Sequence, residues 1–422
     1  MMELALLGGR KLREKPFPPH PIIGEEEKGA VMEVLESGKL STFVAAPGQY
    51  FLGGKKVKEF EAAFCEYHGC KYSILFNSAT AALHAAVAAC VKPGEEVIVP
   101  PYTFTSTATS ALMHNAIPVF SDVQPDTCNL DPTKLEASIS PLSKAVIPVH
   151  LFGTPADMDH IMEIAKRRGL KVIEDCAQAP GARYRGRKAG TIGDCGIFSF
   201  TENKNITSGE GGMLITDDEH IADIARLVRN HGEAIVAGQP RSYSSSILGW
   251  NYRMTEMDAA LGLVQFKKMD MLNAERVKLS EHLRKKLSAI GGFTPQVVDS
   301  RDASVYYATS FRYDEKKAGI PRKVFVEALN AEGMPFGAGY VKPLYYSPIY
   351  HDNKPFIYQH YKGKARYDAG ICPAAEKLHF EELIMTLVCR PPATIADMDD
   401  IVAAVRKIID NKAELAGYKP KA

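Results

Sequence analysis

The chain has 422 residues, of which 45% are hydrophobic and 24% are charged, and its formal net charge is +1 at pH 7. This length predicts two domains of an ordinary globular protein. The near-zero charge gives no bulk attraction to nucleic acid or to an anionic membrane, and the apolar runs are too short for a signal peptide or a membrane span. We therefore expect a cytoplasmic protein with no nucleic-acid or membrane partner.

The eight cysteines are scattered and form no C-x-x-C pair. In a long chain of this kind we interpret them as free thiols. No cluster of His and Cys has the spacing of zinc ligands, so we expect no metal site. Cys176 and Cys195 lie in or beside strand-like segments, where a small core residue is a better interpretation than a nucleophile.

The first predicted elements are a helix over residues 25–37 and an irregular segment over residues 38–54, rich in Gly, Pro, Ser and aromatic residues. Structureless segments of this length inside a compact domain are commonly functional or disordered. We interpret this one as an active-site loop.

From residue 71 to residue 218, short apolar runs alternate with helical patterns. The predicted strands are 72–76, 96–100, 117–121, 145–149, 171–174, 196–200 and 212–216. The predicted helices are 80–90, 106–114, 132–139 and 158–168. This alternation predicts an α/β fold with a mostly parallel, seven-stranded sheet covered on both faces. Ligands bind such sheets beyond the carboxyl ends of the strands.

A single long helix is predicted over residues 255–289, and it leads into a smaller segment of mixed α and β structure that ends in an amphipathic helix over residues 395–409. We accordingly divide the chain into a large domain, residues 15–265, and a small α+β domain, residues 266–422.

Polar and aromatic residues follow the predicted strands. Ser78, Ala79 and Thr80 begin a helix after the first strand, and a helix N-terminus can bind an anion as well as carry an ordinary cap. Phe104 follows the second strand, where an aromatic ring can pack in the core or lie on a planar ligand.

Three further groups follow later strands. Asp175 and Gln178 come after the fifth strand, Ser199 lies in the sixth, and Lys204 follows it, before a Gly-Glu-Gly-Gly turn. Each has an ordinary interpretation as a cap or a surface charge. Together with the earlier residues they supply what pyridoxal 5'-phosphate requires: a phosphate site, an aromatic face, a carboxylate for the ring nitrogen and a lysine for the aldehyde.

Six segments carry a specific resemblance, above all VIEDCAQAPGARYRGRKAGTIGDCGIFSFTENKNITSGEGG. The others are NSATAALHAAV, VIVPPYTFTSTATSA, PVHLFGTPADMD, VRNHG and LGWNYRMTEMDAALGLVQ. The chain resembles the DegT/StrS family of sugar aminotransferases, which are pyridoxal phosphate enzymes of fold type I, over residues 22–409. The resemblance implies an aspartate-aminotransferase-like large domain.

The resemblance also implies a role for each matching residue. Lys204 matches the lysine that binds the cofactor covalently and moves the proton, and Asp175 matches the partner of the ring nitrogen. Gln178 matches the position that meets the ring hydroxyl, and Phe104 matches the stacked aromatic. The phosphate contacts correspond to Ser78, Ala79, Thr80 and Ser199.

Asn251 matches an asparagine that reaches the phosphate of the neighbouring subunit, which implies a homodimer with shared active sites. Arg253 can pair with the carboxylate of an amino donor or form a structural salt bridge. One departure is Lys342-Pro343-Leu344-Tyr345, where many family members carry a histidine that contacts the substrate.

The implied reaction moves an amino group from glutamate or glutamine to a keto-sugar, a nucleotide-keto-sugar or a keto-cyclitol. Three alternatives remain open at this point: an aminohydroxybenzoate synthase-like enzyme, a sugar dehydratase-like enzyme, and a cofactor-binding regulator without turnover. Lys204 argues against the dehydratase, because histidine replaces the lysine in that branch.

Overall fold

The computed structural model describes residues 3–43, 52–233, 245–352 and 354–420. The large sheet and a small hairpin account for the first nine strands. These are β1 (Tyr72–Phe76), β2 (Glu96–Val99), β3 (Ile117–Phe120), β4 (Ser143–Val146), β5 (Lys171–Asp175), β6 (Arg183–Tyr184), β7 (Arg187–Lys188), β8 (Cys195–Ser199) and β9 (Gly212–Thr216). Strands β6 and β7 form the hairpin.

The large sheet has seven strands in the order β1-β9-β8-β5-β4-β2-β3. Neighbours from β8 to β3 are parallel, whereas β9 is antiparallel to both β1 and β8. The predicted mostly parallel, seven-stranded α/β sheet is therefore confirmed, and each predicted strand is present within three residues of its expected bounds. Cys176 and Cys195 are buried, as predicted for core residues.

Helices cover the sheet and extend into the second half of the chain. They are α1 (Glu25–Ser37), α2 (Lys55–His68), α3 (Ala79–Cys90), α4 (Ser106–Met113), α5 (Pro132–Leu135), α6 (Met158–Arg168), α7 (Glu219–Arg229), α8 (Glu256–Lys267), α9 (Met269–Ser288), α10 (Glu315–Ala318), α11 (Arg322–Ala331), α12 (Pro373–Lys377) and α13 (Ile395–Asp410). Among the described residues, none of the helices combines the length and the apolarity that a membrane span requires.

Helix α3 explains how the sequence places a helix N-terminus at the edge of the sheet. Its alanine-rich sequence has high helix propensity and small side chains, so the helix can be buried on nearly all sides. Ser78 caps it, with its Oγ accepting a hydrogen bond of 3.1 Å from the amide of Ala81.

A second, antiparallel sheet lies in the C-terminal part of the chain. Its order is β10-β11-β13-β12, formed by Phe293–Pro295, Thr309–Tyr313, Leu383–Thr386 and Gly337–Ala338. A separate apolar cluster packs beside it and includes residues of α9, α11 and α13 together with Leu4. The domain boundary at residues 265 and 266 stays a prediction.

The predicted long helix over residues 255–289 is wrong in one respect, because the chain forms two helices there. Lys268 separates α8 from α9 with φ −93° and ψ −4°, and its Nζ lies 2.8 Å from Glu27 Oε1 on α1. Apolar residues continue on both sides of the break, so the sequence pattern alone did not reveal it. The predicted helix over residues 132–139 is likewise shorter, with an α-helical part that ends at Leu135.

The segment 38–54 is described at its two ends. Phe43 is buried, and the amide of Gly54 donates a hydrogen bond of 2.9 Å to Glu256 Oε1. Residues 44–51 lie outside the described part of the chain, so the active-site loop stays a prediction.

Candidate active site

A cavity of about 1080 Å³ lies at the edge of the large sheet where the parallel strands end. It is lined by residues that follow β1, β2, β5 and β8, and by residues of the second sheet. Because the carboxyl ends of parallel strands meet at one edge, positions far apart in the sequence converge there. The cavity includes eight of the nine predicted site residues, namely Ser78, Ala79, Thr80, Phe104, Asp175, Gln178, Ser199 and Lys204.

The N-terminus of α3 forms one end of the cavity. In the described structure the amides of Ala79 and Thr80 donate to no protein acceptor, and the helix dipole adds partial positive charge there. Ser199 contributes a hydroxyl, whose Oγ lies 3.2 Å from Thr201 Oγ1. Free amides and hydroxyls at a helix N-terminus suit a phosphate group.

Gly212 allows this end of the cavity to form. A Cβ atom at Gly212 would lie 2.4 Å from the amide nitrogen of Ala79 and 2.5 Å from the carbonyl carbon of Ser78. Strand β9 therefore packs directly against the backbone at the helix N-terminus, a close approach that glycine permits.

Asp175 ends β5 at the wall of the cavity and is 3% exposed. Its carboxylate accepts hydrogen bonds from Thr107 Oγ1 at 2.8 Å and from the amide of Ala177 at 3.1 Å. Burial raises the pKa of Asp175, while these hydrogen bonds and the charge of Lys204 act in the opposite direction. The result is a fixed carboxyl group that can hold a proton donor at the cavity.

Lys204 is half-buried, and its Nζ lies 4.5 Å from the centre of the Tyr307 ring. Burial lowers the pKa of Lys204 to about 8, and the negative charges of Asp175 and Glu210 oppose that change. A larger share of neutral amine is therefore available near neutral pH than for an exposed lysine. The cavity thus contains an amine prepared for nucleophilic attack.

Phe104 and Gln178 line the same cavity. Phe104 is 56% exposed, an unusual exposure for a large aromatic side chain and one that a planar ligand would cover. Gln178 is held on two sides: its Oε1 accepts from the amide of Phe152 at 2.8 Å, and its Nε2 donates to Tyr340 Oη at 2.9 Å.

Asn251 is the predicted site residue that the cavity does not include. It is exposed, and its Oδ1 accepts a hydrogen bond of 2.9 Å from Arg253 Nε. Arg253 also contacts Asn230 Oδ1, at 3.4 Å. Both side chains lie outside the lining of the cavity in their own chain.

Several cavity residues were not identified from the sequence. Thr107, in the first turn of α4, lies behind the lining, where its Oγ1 donates to Asp175 at 2.8 Å and lies 3.1 Å from Thr103 Oγ1, and no sequence signal marked it. Tyr307, Tyr340 and Arg390 come from the C-terminal half, where no motif marked them. Tyr345, at the position where the resemblance implied a histidine, is fully buried, donates to Glu376 Oε1 at 2.6 Å and does not line the cavity.

One buried group of potential metal ligands consists of His150, Glu174 and Cys176. Glu174 is hydrogen-bonded by the amides of Gly190, Ile192 and Gly193 and lies 3.1 Å from His150 Nε2. The other imidazole nitrogen, Nδ1, accepts from the amide of Ala156. The His150 nitrogens and the Glu174 carboxylate are thus engaged within the protein, and the backbone amide of His150 donates a hydrogen bond of 3.1 Å to the backbone oxygen of Asp175.

Comparison with known proteins agrees with this geometry. The model of the DegT/DnrJ/EryC1/StrS aminotransferase family matches residues 21–406. The chain belongs to this family. The family resemblance predicted from the sequence is confirmed, and so is the aminotransferase activity.

Three relatives illustrate the range of the family. A GDP-perosamine synthase of Caulobacter vibrioides is 39% identical over 330 residues, which are 77% of this chain and 85% of the relative. An L-glutamine:scyllo-inosose aminotransferase of Streptomyces griseus is 33% identical and covers 98% of this chain and 99% of its own. The X-ray structure of an aminotransferase from Psychrobacter cryohalolentis superposes with a TM-score of 0.83 at 31% identity, covering 94% of this chain and 99% of that chain.

The close contact at Gly212 gives a prediction. We expect Gly212→Ala to lower the free energy of unfolding by about 1–3 kcal/mol, because the added methyl group must displace the backbone at Ser78 and Ala79. Urea denaturation measures this change. The control is Gly29→Ala in α1, where nothing lies within 4 Å of the added Cβ atom and where a small gain in stability is expected. Equal stability of the two variants would contradict the close packing.

Proposed function

Since the chain belongs to an aminotransferase family, we propose that it uses pyridoxal 5'-phosphate to move an amino group from an amino acid to a keto-sugar, a nucleotide-keto-sugar or a keto-cyclitol. One observation carries the proposal. The Lys204 amine shares one cavity with a buried carboxylate, an exposed aromatic face and a free helix N-terminus.

The chemical groups that line the cavity match those that pyridoxal phosphate requires. The amides of Ala79 and Thr80, with the hydroxyls of Ser78 and Ser199, would hold the phosphate. Phe104 would cover one face of the ring. When bound, pyridoxal phosphate supplies an electron-withdrawing ring on which an amino group can be carried between two substrates.

Three side chains of the cavity would have separate roles in the reaction. Lys204 would bind the cofactor as a nucleophile, and its amine would move the proton at the reacting carbon. Asp175 would keep the proton on the ring nitrogen, since a fixed carboxylate favours a neighbouring cation. Gln178, held by Phe152 and Tyr340, would meet the ring hydroxyl.

The names of the relatives support the substrate classes. One relative is a GDP-perosamine synthase, and another is an L-glutamine:scyllo-inosose aminotransferase. We therefore assign glutamate or glutamine as the donor class and a ketone on a sugar or cyclitol as the acceptor class. The cavity of about 1080 Å³ is at the upper end of the range for small-molecule sites, which leaves space for a cofactor and a substrate together.

We further propose a homodimer in which Asn251 of each subunit completes the other subunit's phosphate site. Asn251 is exposed and lies outside its own cavity, and Arg253 holds its side-chain oxygen at 2.9 Å. Such an arrangement is self-complementary, as two-fold symmetry requires. A second copy of the chain can therefore supply the Asn251 side chain that we propose at each phosphate site.

The eight cysteines are free in the structure, including five that are buried. Proteins of this size with unpaired thiols are typical of reducing compartments. We propose the cytoplasm as the place of action.

The central test of this function is Lys204→Ala. We expect the loss of at least about 1000-fold in transamination, because the variant has no amine to bind the cofactor or to move the proton. The measurement is turnover of L-glutamate with a panel of keto-sugars and scyllo-inosose. The matched control is the exposed Lys286→Ala, which should retain full activity. Unchanged turnover in Lys204→Ala would refute the proposal.

The lowered pKa of Lys204 predicts a pH dependence. In cofactor-free protein, the rate of covalent capture of pyridoxal phosphate should rise with pH and level off above about 8, because the neutral amine is the nucleophile. Stopped-flow absorbance measures this rate. In Asp175→Asn the midpoint should move to lower pH, since a negative charge that favours the ammonium is removed. A midpoint near about 10.4, the value of an ordinary lysine, would show that the amine is not perturbed.

Shared active sites predict complementation between two inactive variants. Mixed dimers of Lys204→Ala and Asn251→Ala subunits contain one site in which both residues are intact, so a statistical mixture should recover about a quarter of wild-type activity. Activity after mixing at varied subunit ratios is the measurement. No recovery in a mixture whose heterodimers are verified by native mass spectrometry would contradict sharing through Asn251.

A further inference from the structure

Two cysteines lie side by side where α2 ends and β1 begins. Cys65 is in the last turn of α2, and Cys70 follows the helix shortly before β1. Their Sγ atoms are 3.8 Å apart. Both side chains are half-buried, as is that of Cys90, whereas the other five cysteines are buried. The two neighbouring thiols are therefore within reach of a small reagent.

The backbone at the end of α2 brings the two thiols together. Gly69 has a φ of 74°, and its amide donates to the backbone oxygen of Cys65 at 2.8 Å. The amide of Cys70 donates to the same oxygen at 3.3 Å. At a helix end of this type the side chains of these two positions commonly touch, and the contact is usually apolar. Here the same contact joins two thiols.

The surroundings make the two thiols unequal. Cys70 Sγ lies 3.6 Å from the backbone oxygen of Tyr72 as well as 3.8 Å from Cys65 Sγ, so its proton has two acceptors within reach. The hydrogen bond from Cys70 lowers the pKa of the Cys65 thiol to about 7, against the effect of burial, and Ser73 adds to the lowering. The same hydrogen bond raises the pKa of Cys70, and burial adds to that rise. Cys65 therefore carries the larger share of thiolate, the form that attacks a disulfide.

The pair is separate from the candidate active site. Cys70 lies just before the first residue of β1, whereas Ser78 of the predicted phosphate site follows the last residue of that strand. Cys70 also lines a second cavity, of about 360 Å³, together with the segment before β8 and the end of β9. Thr191 and Asp217 in the lining of this cavity are exposed. The thiols are thus approached from the edge of the large sheet opposite Lys204.

We propose that Cys65 and Cys70 form a reversible modification site, at which a low-molecular-weight disulfide such as glutathione disulfide converts the two thiols into an intrachain disulfide. The Cys65 thiolate attacks one sulfur of glutathione disulfide, forms a mixed disulfide and releases one glutathione thiolate. Cys70 then loses its proton to solvent, and its sulfur attacks Cys65 Sγ. This second attack breaks the mixed disulfide and releases the second glutathione. The two protein thiols are oxidised by two electrons, and the disulfide of the reagent is reduced by the same two electrons.

The site suits a protein of a reducing compartment. Cytoplasmic disulfides are usually transient and respond to the redox state of the cell. The Cys65–Cys70 bridge forms when glutathione disulfide accumulates, and excess reduced glutathione reverses both exchange steps.

The test treats the full-length, pyridoxal phosphate-loaded protein with glutathione disulfide, alkylates the remaining thiols and maps the peptides by mass spectrometry. One tryptic peptide, residues 59–71, contains both cysteines. We expect this peptide to escape alkylation and to be lighter by two hydrogen atoms, and cleavage after Glu66 should leave two fragments joined by the bridge. Excess reduced glutathione should restore both thiols.

Serine variants separate the two steps. In Cys70→Ser the resolving thiol is missing, so glutathione should remain attached to Cys65. In Cys65→Ser we expect thiol loss in the 59–71 peptide to be at least about tenfold slower, because the more reactive thiolate is gone. Cys90→Ser removes another half-buried thiol and is the matched control, which should form the bridge at the wild-type rate.

Three results would overturn the proposal. They are eight free thiols after treatment, a bridge between any other two cysteines, and a glutathione adduct that persists on Cys65 of the wild type. The peptide map of the wild type gives this answer even if a serine variant folds poorly. It depends on no turnover, so a negative result refutes the modification site and leaves the proposed aminotransferase function untouched.

Discussion

The burial of the Lys204 amine at the carboxyl edge of the large sheet is the constraint on which the rest of the site depends. Desolvation disfavours the ammonium and lowers the pKa of Lys204 to about 8, and Asp175 and Glu210 limit how far it is lowered. A more apolar setting would leave the amine neutral but would remove the Asp175 carboxylate that we propose as the partner of the ring nitrogen. The fold brings a buried amine and a carboxylate to the same cavity because β5 and β8 are parallel neighbours. Asp175 is the last residue of β5, and Lys204 follows the end of β8.

The cavity is lined by charged side chains of both signs. Lys204 and Arg390 contribute positive charge to its lining, while Asp175 and Glu210 contribute negative charge. Arg276 is buried outside this lining. Within the described residues neither Arg276 nor Arg390 forms a salt bridge with a carboxylate, whereas Lys204 is within electrostatic reach of both acidic groups.

The large sheet and most of the cavity were predictable from the sequence because local patterns of apolar residues mark the strands. Lys204, Asp175 and Ser78 directly follow or end strands whose apolar runs are short and continuous, and the topology of parallel strands brings these positions together. The cavity residues of the C-terminal half could not be found in this way; they are Tyr307, Tyr340 and Arg390. They lie next to strands of the second sheet, more than 90 residues after Lys204 in the sequence. No local periodicity indicates that this sheet packs beside the cavity. The break at Lys268 was missed because apolar residues continue on both sides of it, so no change in periodicity marks it. Asn251 was suggested by resemblance alone; it is exposed and lies outside the cavity of its own chain, and its place in the site of a second copy is our proposal.

The most direct test of this account is to identify the lysine that binds the cofactor. Borohydride reduction of the pyridoxal phosphate-loaded protein makes the bond between lysine and cofactor permanent, and peptide mass spectrometry then locates it. We expect the added mass on the peptide that contains Lys204, and we expect it to be absent in Lys204→Ala. Stoichiometric labelling of a different lysine, with Lys204 unmodified, would contradict it.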